Sequence, residues 1–177
     1  LNAASNLFRQ RGYKAASMRD LAEKIGIEAA SLYNHIRSKS ELLYDICFNT
    51  ANIYNDYLES VENSKEPYLK KVELILRFLI NQMIENFDDV VVADREWVHL
   101  EDAYLSSYQT MKHNYRKRIN HIITKGIEAG EIKEINVPST IWLLLHAING
   151  IESWHRSKTQ IPPEELEENM ISILIDV

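Results

Sequence analysis

Apolar residues recur every three or four positions along almost the whole chain, the spacing of one buried helical stripe. Leu1, Ala4, Leu7 and Phe8 form the first stripe, which stops at Gly12, a position suited to a C-terminal cap. Met18, Leu21, Ala22 and Ile25 form a second, opened by Ser17 with Asp20 three residues on and closed by Gly26. A short helix is expected over 27–36, and Ser38 with Glu41 forms a capping box for a helix over 39–62. Asn63-Ser64-Lys65-Glu66-Pro67 breaks the pattern, and a helix over 67–86 turns Val72, Ile75, Leu76, Leu79 and Met83 inward. Asp88 and Asp89 mark a turn before a segment near 90–104, and a long helix over 105–129 ends at Gly130. Val137-Pro138 opens a helix to about Trp154, with proline near its first turn. Pro162-Pro163-Glu164-Glu165 opens the last helix, rich in Leu166, Met170, Ile171, Leu174 and Ile175. The sum is an all-α chain of about nine helices with no sheet.

Composition narrows the class. With 45% apolar residues in 177, a buried core is feasible, and five glycines with four prolines are too few for a turn-rich β fold. The single cysteine, Cys47, excludes a disulfide framework and a cysteine-based zinc module. No apolar run reaches the ~18–20 residues of a membrane span and no signal peptide is visible, so a cytoplasmic protein is expected. The net charge of −6 hides an asymmetry. Residues 1–40 hold seven Lys/Arg against three Asp/Glu, whereas the remainder holds thirteen against twenty-three. A basic end on an acidic body suits a protein that meets phosphate at one end only.

Residues 17–36, S-M-R-D-L-A-E-K-I-G-I-E-A-A-S-L-Y-N-H-I, carry the strongest motif. Two short helices meet at Gly26, with Ile25 and Ile27 expected to clamp the corner, the helix-turn-helix pattern whose second helix enters the major groove. Helical angles turn Leu32, Ala29 and Ile36 inward and Ala30, Ser31, Tyr33 and Asn34 outward. Ser31 and Asn34 can hydrogen-bond to base edges, and Ala30 can meet a thymine methyl. Tyr33, Lys39 and the helix starts at Ser17 and Ser38 are better placed for phosphate. Residues 1–48 resemble the DNA-binding domain of the TetR family of bacterial repressors. The likeness rests on A-A-S-N-L-F-R-Q-R-G-Y, S-M-R-D-L-A-E-K-I-G-I and S-L-Y-N-H-I-R-S-K-S-E-L-L. It gives Tyr33, His35 and Lys39 DNA-contacting or supporting positions. Glu28 departs from the small polar residue that many members carry there, which is expected to weaken the recognition-helix cap or to repel phosphate locally.

The resemblance implies two domains: residues 1–48 for DNA, with the helix to 62 as connector, and 49–177 for a small-molecule effector and a homodimer. The last two helices, over 138–155 and 163–175, are apolar on more than one face, and Trp142, Leu145, His146, Ile148 and Asn149 are expected near the dimer seam. Such a dimer is a repressor that a small molecule releases from a pseudo-palindromic operator. Arg95-Glu96-Trp97-Val98-His99-Leu100, Tyr115-Arg116-Lys117-Arg118 and Asn149-x4-Trp154-His155-Arg156 with Pro-Pro-Glu-Glu resemble the branch that senses CoA thioesters of fatty-acid, phenylacetate and steroid-fragment breakdown. An acyl-CoA needs an apolar tunnel and cations for its phosphates. Trp97, Tyr104, Tyr108, Trp142 and Trp154 are candidates for the first, Arg95 and Arg116 to Arg118 for the second, and His99 and Asn149 complete the set.

Two Glu-x-x-His pairs, Glu96/His99 and Glu152/His155, supply an alternative. Residues at i and i+3 share a helix face, and two such pairs are half the recipe of a di-iron carboxylate bundle. That alternative is a metal-sensing regulator or a di-iron enzyme. No Gly-rich phosphate loop, no G-x-S-x-G elbow and no activated cysteine occurs, so the leading expectation is a non-enzyme with no required cofactor.

Overall fold

The computed structural model describes residues 1–175 of the chain. Its ten α-helices are α1 (Asn2–Arg11), α2 (Met18–Ile25), α3 (Ala29–Tyr33), α4 (Lys39–Glu62), α5 (Tyr68–Glu85), α6 (Phe87–Arg95), α7 (Asp102–Glu128), α8 (Val137–Asn149), α9 (Ile151–Arg156) and α10 (Pro163–Ile175). A 3-10 turn at Trp97–His99 joins α6 to α7, and no strand occurs among the described residues. The all-α expectation holds. Gly150, between α8 and α9, is itself in right-handed helical geometry, so the two read as one interrupted helix and the total returns to nine.

Two compact units divide the chain. The first comprises Leu1–Tyr54 and Asp88–Lys112, the second Asn55–Phe87 and the chain from His113 onward. The core of the first unit is built from Leu7, Phe8, Leu21, Leu32, Leu43 and Ile46, joined by Val92, Leu100 and Tyr108. In the second, α5 is the central helix, packed by α8, α9 and α10, and the predicted stripe Val72, Ile75, Leu76, Leu79 and Met83 is buried.

Several local expectations change. α3 is one turn and a half rather than 27–36, because the chain tightens after Tyr33 into turns in which the Asn34 amide reaches the Ser31 carbonyl and the His35 amide that of Leu32. Ile25 and Ile27 do not clamp a corner; both are exposed at the rim of the α2–α3 turn. Leu1 is exposed as well. Asp88 and Asp89 form no turn: they sit in the first turn of α6, where carboxylates favour the unpaired amides and positive end of the helix. At the start of α4, Ser38 Oγ accepts the Glu41 amide as expected, but Glu41 accepts the amide of Arg37 rather than that of Ser38. Gly126 marks a close approach in the second unit, where a Cβ would lie 3.0 Å from that of Tyr68 and 2.5 Å from Ile132 Cδ1.

Candidate nucleic-acid interface and effector cavity

The helix-turn-helix is held by hydrogen bonds that the sequence specifies locally. Ser17 Oγ accepts the Asp20 amide at 3.1 Å, and Asp20 Oδ2 accepts the Ser17 amide at 2.8 Å, a complete capping box. The Ser17 hydroxyl also donates to Asp20 Oδ2 at 2.6 Å, and Arg11 donates to Oδ1 at 2.8 Å. The bond from the Ser17 hydroxyl, then that from its amide, hold the Asp20 carboxyl below its ordinary pKa. Gly26 takes the left-handed conformation, φ 75°, ψ 31°, which glycine adopts without a Cβ penalty. Its amide reaches the Glu23 carbonyl while that of Ile27 reaches Ala22, the paired closure of a Schellman motif.

α3 follows with Glu28 as N-cap and no side-chain capping bond. Leu32 is 2% exposed and anchors the helix to the core; Tyr33, 55% exposed, points away from it. Ala30, Ser31 and Asn34 are exposed with Tyr33, as the helical angles require, and His35 is exposed just past the helix end. The result is a short helix with one greasy root and a face of small and polar groups. Lys39 differs. Its ammonium donates to the carbonyls of Tyr13 at 2.8 Å and Ala16 at 2.9 Å and lies 4.3 Å from the Tyr13 ring centroid. It fastens the α1–α2 loop to the start of α4.

The effector candidates fall into two groups. In the first unit Trp97, Tyr104 and Tyr108 join Tyr44 and Phe48 in one aromatic cluster, with Tyr44–Tyr104, Phe48–Tyr108 and Trp97–Tyr108 centroids 4.6, 5.5 and 5.9 Å apart. Tyr108 is buried and its hydroxyl donates to the Ala93 carbonyl at 3.0 Å; burial pushes its pKa up. Lys112 Nζ lies 4.9 Å from the Trp97 ring. Arg95 is exposed at the end of α6. In the second unit Arg116, Trp142 and Asn149 are exposed, and Trp154 Nε1 donates to the Ile161 carbonyl at 3.0 Å. Arg118 is engaged by Glu62 and Asn55 at 3.0 Å each, so its guanidinium closes an internal contact. Trp142, at 65% exposure, stands on the outer face of α8 with Leu143 at 67%, and Ile173 of α10 is exposed at 65%. Ile148, expected near the dimer seam, is buried within the unit.

A small apolar cavity does exist in the second unit. About 20 Å³ is open to a water-sized sphere, between Val72, Ile75, Leu76 and Leu79 of α5, Ile119 and Ile123 of α7, and Ile141, Leu144 and Leu145 of α8. None of the effector candidates borders it, whereas Leu145, expected near the dimer seam, does. The α5 members were legible only as core, because periodicity cannot distinguish a filled interior from one with a gap.

The metal alternative is not supported. Glu96 Oε2 and His99 Nε2 are 3.6 Å apart, but Glu96 accepts the Tyr13 amide at 3.2 Å and His99 stacks on the Tyr13 ring. His155 Nε2 is bonded to the Met83 carbonyl at 2.7 Å with its ring stacked on Phe87, and Glu152 pairs with Arg156 at 3.4 Å. Among the described residues no three His, Cys, Asp or Glu side chains gather where they could hold an ion. None of the helices is long and apolar enough to cross a membrane among those residues.

Comparison with known proteins adds an independent line. Residues 1–46 match the family described as bacterial regulatory proteins, tetR family, and residues 65–177 match the tetracyclin repressor-like C-terminal domain. The HTH-type transcriptional repressor KstR2 of Rhodococcus jostii is 24% identical over 186 residues, covering 99% of this chain and 87% of the relative. The structure of the ketosteroid transcriptional regulator KstR2 of Mycobacterium tuberculosis superposes with a TM-score of 0.89 at 19% identity, covering 98% of this chain and 90% of that one. That of AibR in complex with isovaleryl coenzyme A and operator DNA gives 0.83 at 19% identity, covering 98% and 95%.

Proposed function

Because the chain belongs to the TetR family of bacterial regulatory proteins, we propose that it is a dimeric transcriptional repressor that an acyl-CoA releases from a pseudo-palindromic operator. Residues 1–48 carry the DNA-binding function and 49–177 the effector and dimer functions. The observation that carries the DNA-binding half is the exposed face of α3, Ala30, Ser31, Tyr33 and Asn34, over the buried root Leu32. Small residues let a helix come close to base edges, and a serine and an asparagine supply the directional bonds that read them. Basic groups in the first forty residues add the sequence-independent attraction to phosphate. Trp142 and Leu143 on α8 and Ile173 on α10 are large apolar side chains left exposed on the protomer, and a second copy covers them. Two-fold symmetry then sets two α3 helices in successive major grooves.

An acyl thioester as effector is supported by the aliphatic cavity and by AibR, whose structure holds isovaleryl coenzyme A and operator DNA. The cavity has room on the scale of one water. An acyl tail enters only if side chains such as Leu144 and Leu145 move outward. That displacement distinguishes the two states to which a ligand must bind with different affinity.

Fluorescence anisotropy with a labelled duplex from the region upstream of the gene tests the DNA half. Binding is expected to weaken steeply with salt, and Asn34→Ala to weaken it by about 1–3 kcal/mol at fixed salt. A duplex set that draws no salt-dependent binding sinks the proposal. Native mass spectrometry tests the effector: a dimer carrying an acyl-CoA mass lost on denaturation is expected. Failure of every acyl-CoA added to a DNA complex to release it removes that ligand class.

A further inference from the structure

The Glu96-x-x-His99 pair stands out in the sequence, and neither the DNA-binding face nor a metal accounts for it. Both residues converge on Tyr13 in the loop between α1 and α2. Glu96 Oε2 accepts the Tyr13 amide at 3.2 Å, and a Cβ added at Gly12 would lie 3.9 Å from the other carboxylate oxygen. The His99 ring stacks on the Tyr13 ring at 5.7 Å, nearly parallel, and Phe8 meets that ring edge-on at 5.3 Å. Beside the same ring sits the Lys39 ammonium, 4.3 Å from its centroid and bonded to the Tyr13 and Ala16 carbonyls. Tyr13 is thus gripped by the 3-10 corner through its amide and ring, and by the first residue of α4 through its ring and carbonyl. The segment 96–99 also carries Trp97, which packs on Tyr108 and Lys112 in the aromatic cluster.

We infer that Glu96 and His99 are positioning residues that couple the α6–α7 corner to the helix-turn-helix through Tyr13 and Lys39. The inference rests on the DNA-binding proposal above and adds to it the route by which the corner sets the α1–α2 loop. A displacement of residues 96–99 pulls the loop amide and unstacks the ring that Lys39 and His99 share. The loop precedes Ser17, the cap of α2, so the loss reaches the helix that supports α3. A packed joint of this kind has discrete arrangements rather than a continuous range.

Amide hydrogen exchange of the full chain, with and without a duplex selected from a random-sequence pool by the wild-type protein, tests the coupling. Binding at residues 1–48 is expected to slow exchange over 96–112 by at least about fivefold, the low end of ordinary coupling. Glu96→Ala is expected to abolish that remote protection while anisotropy still reports DNA binding. Glu96→Gln, which keeps an acceptor for the Tyr13 amide, restores it. Tyr13→Leu removes the shared ring but keeps the backbone bond, and is expected to weaken the protection should Glu96→Ala fail to fold. Remote protection in Glu96→Ala or in Tyr13→Leu equal to wild type, with or without a lower melting temperature, overturns the inference and leaves ordinary packing. Wild-type protein that draws no duplex from the pool overturns it together with the DNA-binding proposal, and flat anisotropy identifies that case.

Discussion

Lys39 and Cys47 show how environment overrides residue type. A lysine beside a helix-turn-helix reads as a phosphate contact, yet here its ammonium is surrounded by loop carbonyls and an aromatic ring. Lys39→Met is therefore expected to lower the melting temperature and leave the slope of log affinity against log salt unchanged. A lysine that contacts phosphate reduces that slope by about 1 when removed; a salt titration of both proteins decides between the two roles. Cys47 is fully buried, and burial pushes its thiol pKa up to about 12. The thiolate is the reactive form, so Cys47 is expected to resist a thiol reagent at pH 8 in the folded protein and to react at once in denaturant. That expected inertness follows from the core around it.

At the scale of elements, short-range signals were the dependable ones. The Ser17–Asp20 box, the Gly26 turn and the start of α8 at Val137-Pro138 all lie where their residues indicate, because each depends on contacts within one turn. Ser17→Ala is expected to lower the melting temperature by roughly 2–4 °C, the scale of a lost N-cap in a chain of this length. Asp20 adds a pH dependence whose sign is fixed. Its pKa is depressed in the folded protein, so its stabilising contribution is present above the unfolded carboxylate value and disappears as pH falls through the lower folded one. Wild-type protein should exceed Asp20→Asn in melting temperature at pH 7, and the gap should close at pH 2–3, near and below the usual aspartate range of about 3.9. A gap that is the same at both pH values assigns the effect to something other than the carboxylate. The expectations that changed were mostly those depending on neighbours distant in sequence. Ile25 and Ile27 are apolar and flank the turn, but both stay about two-fifths exposed.

At the scale of the molecule, the apolar outer face of α8 and α10 is the feature with the largest consequence. Trp142→Glu combined with Leu143→Glu places carboxylates where the proposed second copy would bury them, at positions the protomer leaves exposed. The variant is expected to run as a monomer in analytical ultracentrifugation with unchanged helical content, and to lose most of its operator affinity because one α3 reads one half-site. A variant that remains dimeric moves the interface elsewhere. Arg77 of α5 holds α10 through Glu167 at 2.8 Å and Glu168 at 2.7 Å, with Glu73 at 2.8 Å on its own helix, which fixes the orientation of the Ile173 face within the second unit.

The amino-acid sequence by itself determined the all-helical class, the helix starts that carry a capping signal at Ser17, Ser38 and Val137-Pro138, the inward and outward faces of α3, and the family. Those properties are written in three-and-four spacing, capping residues and a contiguous motif, so they survive without knowledge of the fold. Tertiary structure alone decided that residues 88–112 complete the core of the first unit with Val92, Leu100 and Tyr108. It also decided that Glu96 and His99 grip Tyr13 instead of an ion, that Trp142 faces outward, and that the aliphatic stripe of α5 borders a cavity. Each of these depends on which side chains from distant segments meet. Periodicity marks the buried side of a helix but carries no information about what lies against it.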